Sequence, residues 1–356
     1  MNQERIQRVV ANMKREGLSQ IIVSSTASLY YLTGLWIDPH ERMIALYLED
    51  TGKALLFGNE IFGIEPMEDF PLYIHKDADN PVKDLAKYIQ PGKLGIDKFW
   101  SSKFLIGLME LRPDMTPVLG SAPVDRARML KDAREAEALR RASAFNDEVV
   151  EAIIAQVKEG AVESKLEEEV NRLYLERGAD QSGRQAAMFG PNCADPHHAS
   201  DGTVIKPGDS VIFDIFTPFD RYWCDMTRTV FYKEVSDKQR EVYELVKKAN
   251  LAAIAKIKPG VFLADIDKEA RDIITEGGYG PYFTHRLGHG IGLECHEPPD
   301  VGEASLFPLE PGMVFSVEPG IYLPGEFGVR IEDLVLVTED GCEVLNKYSK
   351  ELRVVE

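Results

Sequence analysis

Two acidic residues in one predicted hairpin are the first candidates for chemistry. Asp214 and Asp225 lie in apolar segments on either side of a turn predicted at residues 218–221. If the hairpin folds about a centre between Phe219 and Asp220, Asp214 lies directly opposite Asp225, and opposed side chains share one face with Cβ atoms roughly 4.5–5.5 Å apart. Two carboxylates in such a poorly solvated place repel each other, so they must share a proton or a cation.

A second pair of acidic residues repeats this arrangement. A hairpin centred on Gly325 places Glu318 opposite Glu332. Four acids that converge on one dry place make little sense without a bound cation, because burying unpaired charge is costly. We therefore predict a metal site between the two hairpins.

A glycine-rich segment adds a histidine to this set. Gly288, Gly290 and Gly292 surround His289 and remove side-chain bulk, as a close approach of backbone to a site requires. A lone histidine is more often a structural group, but five of the seven histidines fall between residues 197 and 296, which favours a ligand function for His289. The five are His197, His198, His285, His289 and His296.

The segments that carry the acids resemble each other, which predicts an internal duplication. Residues 205–214 and 309–318 each contain a Pro-Gly turn and a β-rich run, with an acid seven residues after the proline. Upstream, residues 157–160 and 257–260 each separate two predicted helices. We therefore expect two similar halves, with the site where the halves meet.

Residues 1–123 are predicted to form a separate α/β domain. The sequence predicts helices over residues 3–16 and 81–89 and strands near residues 20–25, 43–48, 54–57 and 93–97. Alternating strands and helices indicate a sheet covered by helices. The pattern lapses around residues 117–123, and we place the domain boundary there, so that the second domain covers residues 124–356.

Composition excludes several function classes. The chain has 59 acidic and 41 basic residues and a formal charge of −18, so phosphate backbones and anionic membranes repel it. No apolar run approaches the ~18 residues of a membrane span, and the first residues lack the apolar core of a signal peptide. Four cysteines without CxxC spacing predict reduced thiols in a cytoplasmic protein. Two of them, Cys224 and Cys295, are expected to be packing residues.

These residues together resemble the pita-bread (M24) metallopeptidase family, which includes prolidases (Xaa-Pro dipeptidases), Xaa-Pro aminopeptidases and methionine aminopeptidases. The matching segments are residues 225–229, 288–292, 318–320 and 328–333. Residues 1–123, with the segment 31–34, resemble the creatinase-type amino-terminal domain, and residues 124–356 resemble the catalytic domain. The resemblance implies an α+β fold with two pseudo-symmetric halves around a curved antiparallel sheet.

The resemblance also implies two divalent metal ions per subunit and a bridging hydroxide that hydrolyses the peptide bond. By analogy, Asp225 and Glu332 bridge both ions and Asp214 serves one of them. His289 and Glu318 serve the other. Carboxylates with one imidazole suit Mn²⁺ best, with Co²⁺ or Zn²⁺ as alternatives. Glu318 would also carry a proton to the leaving amine.

Other residues are implied to act around the metal ions. His296 and His197 resemble substrate-binding histidines that stabilise the tetrahedral intermediate. Arg330 is a candidate for substrate binding or for orienting a ligand. His285 and Thr227 are candidates for orienting ligands, and His198 is expected either to support a ligand or to be structural.

Two readings of the substrate remain open. A dipeptidase must recognise the free carboxylate of proline, commonly with an arginine, but this chain has Asp300 where many small prolidases carry one. The chain length fits microbial dipeptidases, so we favour a prolidase acting on small proline-containing peptides, with an Xaa-Pro aminopeptidase as the alternative. Other peptide or amide substrates, and a non-enzymatic peptide-binding module, are further alternatives. The resemblance also implies a homodimer.

Overall fold

The computed structural model describes residues 2–66, 71–182 and 185–356 of the chain. The chain divides into two compact units, Met1–Arg128 and Met129–Glu356. The position predicted for the domain boundary, between residues 123 and 124, lies within a helix, Ala122–Met129. Along the described residues, no helix combines the length and the apolar character that crossing a bilayer requires.

The first unit is a mixed sheet with helices. The helices are α1 (Gln3–Glu16), α2 (Thr26–Thr33), α3 (Pro81–Leu85), α4 (Ser102–Leu111) and α5 (Ala122–Met129). The strands are β1 (Gln20–Val23), β2 (Ala45–Glu49), β3 (Ala54–Asn59), β4 (Leu72–His75), β5 (Gly92–Ile96) and β6 (Met115–Leu119). Their order in the sheet is β4-β3-β2-β1-β5-β6.

Helix α1 illustrates how the sequence sets an element of this unit. The Asn2 side chain accepts a hydrogen bond from the backbone N–H of Arg5, and Gly17 ends the helix with a φ of 66°. Ile6, Val9 and Met13 recur at helical spacing and are buried. The helix predicted over residues 3–16 is therefore confirmed.

The second unit carries the candidate site residues. Its helices are α6 (Ala133–Ile154), α7 (Glu163–Glu176), α8 (Asp237–Lys256) and α9 (Leu263–Glu276). Its first strands are β7 (Ala186–Phe189), β8 (Ser210–Phe219), β9 (Tyr222–Tyr232), β10 (Gly288–Gly290), β11 (Glu297–Val301) and β12 (Val314–Val317). The remaining strands are β13 (Gly320–Leu323), β14 (Phe327–Arg330), β15 (Asp333–Val337), β16 (Cys342–Val344) and β17 (Val354–Val355).

The strands of this unit form a curved, mainly antiparallel array. One group has the order β17-β9-β8-β7, another has the order β11-β10-β12-β15-β16, and β13 pairs with β14. An apolar cluster accompanies each of the two larger groups. One cluster packs α6 and α7 against β8 and β9, and the other packs α8 and α9 against β12 and β15.

The two halves repeat the same backbone contacts. In the first half, the N–H of Glu163 donates to the carbonyl of Thr203 at the start of α7. In the second half, the N–H of Leu263 donates to the carbonyl of Phe307 at the start of α9. Equivalent bonds about a hundred residues apart are what a duplicated unit produces. The predicted pseudo-symmetry is therefore confirmed.

The register predicted for the first acidic hairpin is wrong by two residues. Strands β8 and β9 pair Phe219 with Tyr222, so Asp214 lies opposite Thr227 rather than opposite Asp225. The turn consists of Asp220 and Arg221, whose φ angles are 53° and 70°. Two-residue hairpin turns of this kind need positive φ at both positions and usually contain glycine or asparagine, so this turn lacks the usual sequence signal.

The register error does not move either acid to the other face of the sheet. Side chains alternate with a period of two, and a shift of two residues preserves the face. Asp214 and Asp225 are therefore diagonal neighbours instead of direct partners. The second hairpin is confirmed as predicted, since β13 and β14 pair about Gly325, which has a φ of 76°.

Candidate active site

Three of the predicted ligands form a buried group that we call the central cluster. It consists of Asp225, His289 and Glu332, and one ligand atom from each lies within 4.8 Å of the others. All three side chains are buried. The Nε2 atom of His289 lies 3.7 Å from Asp225 Oδ2 and 3.4 Å from Glu318 Oε1, which brings a fourth predicted ligand to the same place.

His289 is held by the backbone of neighbouring strands. A Cβ atom at Gly288 would lie 1.9 Å from the carbonyl oxygen of Ser316, and one at Gly290 would lie 2.4 Å from that of Glu297. The close approach predicted for these glycines is therefore confirmed. The His289 N–H donates to Ser316 Oγ at 3.0 Å, and Nδ1 lies 3.1 Å from the Gly290 carbonyl. A protonated Nδ1 bonded there leaves Nε2 as the ligand atom.

Ser316 also contacts Glu318, and the sequence analysis did not single it out. Its Oγ donates to Glu318 Oε1 at 3.1 Å. Ser316 precedes Glu318 by two residues near the end of β12, so the period of a strand places both side chains on one face. That spacing was the signal in the sequence.

Asp214 is held at the edge of this group by two side chains. Arg330 Nη2 donates to Asp214 Oδ2 at 2.7 Å. Thr227 Oγ1 lies 3.3 Å from Asp214 Oδ1 and 2.7 Å from Glu332 Oε2. Thr227 therefore links a carboxylate of the first hairpin to one of the second.

Arg330 has its donors engaged inside the protein. Besides Asp214, it donates through Nε to Thr227 at 2.9 Å and through Nη1 to the Tyr322 hydroxyl at 3.0 Å. The side chain is buried. These contacts favour the orienting function over direct contact with substrate.

His285 is connected to the predicted ligands only through Tyr322 and Arg330. Its Nε2 lies 2.8 Å from the Tyr322 hydroxyl, and its Nδ1 lies 2.7 Å from the carbonyl of Arg286. The described residues give it no direct bond to a predicted ligand. Tyr322, which connects His285 to Arg330, was missed in the sequence because its importance depends on contacts between distant segments.

The buried acids have raised pKa values, which is typical of carboxylates that hold a cation. Burial raises the pKa of Asp225 well above its usual range, and the charges of Asp214 and Glu318 raise it further. Burial raises the pKa of Glu332 in the same way, and raises that of Glu318 to about 7. In the described part of the chain, Oδ1 of Asp225 is buried without a hydrogen-bond partner.

The histidine of the central cluster is kept neutral. Burial, together with the charge of the neighbouring His296, lowers the pKa of His289 to about 3. A neutral imidazole has a lone pair for a metal ion. Carboxylate oxygens and one imidazole suit Mn²⁺, Co²⁺ or Zn²⁺, so the donor set and the unpartnered Asp225 oxygen both fit divalent cations.

One of the two histidines predicted to bind substrate lies beside this group. The His296 ring is 3.9 Å from the His289 ring, centroid to centroid, and His296 is exposed. His197 is also exposed, and its N–H donates to Asp195 Oδ1 at 2.9 Å.

The two cysteines differ in their position relative to the site. Cys224 is buried, and its Sγ donates to the carbonyl of Thr217 at 3.2 Å. Cys295 Sγ lies 3.5 Å from Asp225 Oδ2. Cys295 was expected to be a packing residue, and the structure brings it into contact with a predicted ligand.

A second group of acids and histidine lies elsewhere in the same unit, and we call it the lateral cluster. It consists of Glu163, His198 and Asp201, whose ligand atoms also lie within 4.8 Å of one another. His198 Nε2 lies 3.0 Å from Glu163 Oε2. Both oxygens of Glu163 accept hydrogen bonds from other residues, in keeping with the structural function expected of His198.

Asp300 forms an ion pair that the sequence analysis did not predict. Arg286 Nη1 lies 2.9 Å from Asp300 Oδ1, and both side chains are partly exposed. Asp300 pairs with His289 in the register of β10 and β11. The acid that replaces the expected arginine is therefore accompanied by an arginine that lies two residues before β10.

Comparison with known protein families identifies both parts of the chain. Residues 137–339 match the model of metallopeptidase family M24. Residues 5–130 match the creatinase/prolidase N-terminal domain.

Relatives and solved structures match over nearly the whole length. The chain is 35% identical over 359 residues to an uncharacterized peptidase of Staphylococcus saprophyticus, covering 97% of this chain and 100% of the relative. It resembles the crystal structure of a dipeptidase from Pyrococcus horikoshii with a TM-score of 0.93 and 32% identity, covering 99% of this chain and 100% of that one. It resembles a recombinant prolidase from Thermococcus sibiricus with a TM-score of 0.92 and 33% identity, covering 100% of both chains.

Proposed function

Because the chain belongs to metallopeptidase family M24, we propose that it is a dinuclear metal-dependent dipeptidase that hydrolyses the Xaa-Pro peptide bond. The observation that carries the metal site is the buried Oδ1 of Asp225, which has no partner among the described residues and lies within a group of acids whose pKa values are raised. The similarity to a dipeptidase and a prolidase of known structure supports the choice of substrate.

In the proposed site, Asp225 and Glu332 would serve two divalent cations, for which Mn²⁺ is the preferred candidate. Asp214 would help to hold one of them, and His289 and Glu318 would help to hold the other. When bound, the cations supply Lewis-acid polarisation of the scissile carbonyl and lower the pKa of a water molecule. Thr227 and Arg330 hold Glu332 and Asp214 through the hydrogen bonds described above.

Glu318 is proposed to move the proton. Its carboxylate is held by Ser316, and its pKa of about 7 in the metal-free protein shows how strongly burial favours its protonated form. A carboxyl group so placed can take a proton from the attacking water and give it to the leaving proline nitrogen.

His296 and His197 are proposed to bind the substrate carbonyl. Burial lowers the pKa of His296, so its imidazole is neutral near pH 7 and can donate one N–H to an oxygen. Because both rings are exposed, they can reach a bound peptide and donate to the oxygen that becomes negative during attack.

Metal analysis and peptide hydrolysis test the proposal. The purified protein is expected to bind two divalent ions per chain and, with Mn²⁺, to cleave Leu-Pro to leucine and proline. Binding of less than one ion per chain, with no hydrolysis after addition of Mn²⁺ or Co²⁺, would contradict the proposed metallopeptidase function. If Leu-Pro stays intact while a longer peptide with proline second is trimmed, the enzyme is an Xaa-Pro aminopeptidase instead.

A further inference from the structure

The arginine beside Asp300 gives the proposed dipeptidase a means of recognising its substrate. An Xaa-Pro dipeptide carries a free carboxylate on its proline, one residue beyond the scissile bond. We propose that Arg286, positioned by Asp300, binds this carboxylate and thereby selects dipeptides over longer peptides. This inference rests on the proposed function.

The ion pair is connected to two of the proposed ligands. Arg286 immediately precedes Leu287, whose carbonyl accepts the N–H of Glu318 at 2.8 Å. Asp300 pairs with His289 across β10 and β11, and opposed residues of an antiparallel pair share one face. The pair therefore lies at the edge of the site, beside the positions of His289 and Glu318.

The guanidinium of Arg286 has donors to offer. Asp300 contacts Nη1, and within the described residues no other hydrogen bond or ion pair involves this guanidinium. The side chain is 41% exposed. Guanidinium presents its N–H groups as a planar fork that matches a carboxylate, so one edge can remain with Asp300 while the other receives the substrate.

The other arginine of the site does not suit this function. Arg330 is buried and already donates to Asp214, Thr227 and Tyr322. Asp300 by itself would repel a carboxylate, but in the ion pair it fixes the orientation of Arg286. Arg286, which lies two residues before β10, thus supplies the guanidinium that position 300 lacks.

The test compares two substrates that differ only in the carboxylate. Leu-Pro and Leu-Pro amide are hydrolysed by the Mn²⁺-loaded wild type and by Arg286→Ala, and kcat and KM are measured separately. In Arg286→Ala, the ratio of kcat/KM for Leu-Pro to that for the amide is expected to fall about 10- to 100-fold, mainly through KM, because a hydrogen bond to a charged group is lost. Arg286→Lys should recover part of this ratio.

The experiment includes a matched control variant, and two different outcomes would contradict it. Arg140→Ala removes another partly exposed arginine, which pairs with Glu343 on the same unit, and should leave the ratio unchanged. If Arg286→Ala lowers kcat/KM equally for both substrates, or changes neither, the assignment of Arg286 is wrong while the dipeptidase stands. If the wild type cleaves neither substrate, the proposed function fails and this inference falls with it.

Discussion

The central and lateral clusters of the second unit contain the same kinds of groups but differ in the hydrogen-bond donors around their acids. Each has two acids and a histidine, and in each the ligand atoms lie within 4.8 Å of one another. In the lateral cluster, Glu163 Oε1 accepts hydrogen bonds from the Phe189 N–H at 2.6 Å and from the Asn192 amide at 3.0 Å. Its Oε2 accepts from the Asp201 N–H at 3.1 Å.

Within the described residues, Asp225 has one neutral side-chain donor, Cys295 Sγ, which lies 3.5 Å from Oδ2, and its buried Oδ1 has no partner. The negative charges of Asp214 and Glu318 also act on it and raise its pKa. A buried carboxylate is stable when hydrogen bonds or a cation satisfy it. Ligand spacing alone therefore does not define a metal site. The hydrogen-bond donors around each carboxylate decide whether it needs a cation.

The largest expected effect follows from removing a proposed ligand of the central cluster. We expect Glu332→Ala to abolish peptide hydrolysis and to lower metal content to less than two ions per chain. The activity loss should exceed about 100-fold, since even residues that only support a ligand contribute about 10- to 100-fold. Activity with Mn²⁺ and metal analysis of the dialysed protein measure both effects.

An exposed acid provides the control for that variant. Glu351 is 79% exposed and pairs with Lys247 on the same unit, so Glu351→Ala changes the charge equally without touching the cluster. It should keep wild-type metal content. Full metal content and turnover in Glu332→Ala would mean that the ligand set is misassigned.

The second prediction concerns the lateral cluster. Glu163→Ala leaves the buried N–H of Phe189 without its acceptor and breaks the partly buried bond to the Asp201 N–H, which should lower the free energy of unfolding by roughly 1–3 kcal/mol. Two ions per chain should still bind. Denaturant unfolding and metal analysis separate the two properties, and a loss of bound metal without a loss of stability would reverse the assignment of the clusters.

Much of the central site could be predicted from the sequence, because residue type and short-range spacing determine it. The glycines around His289 and the turn at Gly325 were evident, and the structure confirms both. The turn at Asp220 and Arg221 was misplaced because it contains neither glycine nor asparagine. Even so, the error of two residues preserved the face of the sheet on which the acids lie.

Contacts between distant segments could not be predicted. Ser316 precedes Glu318 by two residues, so its face was readable, but its bond to the His289 N–H joins two strands. The donors around Glu163 come from segments more than twenty residues away. Nothing local to Glu163 distinguishes it from Asp225, because the difference depends on which backbone N–H groups the fold brings to each carboxylate.

The smallest predicted effect is a pH dependence that belongs to the central cluster. In the metal-free protein, burial raises the pKa of Glu318 to about 7 and those of Asp225 and Glu332 well above their usual range. The folded state therefore binds more protons than the unfolded chain above pH ~4.5, and these groups destabilise the fold as the pH rises through their folded pKa values. Between pH 7 and 9 we therefore expect the free energy of unfolding of the metal-free protein to fall.

The histidines set the lower limit of this pH window. Burial lowers the pKa of His289 to about 3 and that of His285 to about 4, so their contribution to stability increases with pH until the unfolded histidine pKa of about 6.5 and is constant above it. Above pH 7 these two histidines no longer contribute to the slope. Urea unfolding at pH 7, 8 and 9 measures this slope in the metal-free protein.

Loading the cluster with cations and removing one acid should both flatten this dependence. Bound Mn²⁺ keeps the carboxylates deprotonated in the folded state, so the loaded protein should show little change between pH 7 and 9. Metal-free Glu332→Gln lacks one of the titrating groups and should lose part of the slope. A metal-free wild type whose stability stays constant or rises across this range would mean that the acids of the central cluster are satisfied by the protein itself, as Glu163 is, and do not require a cation.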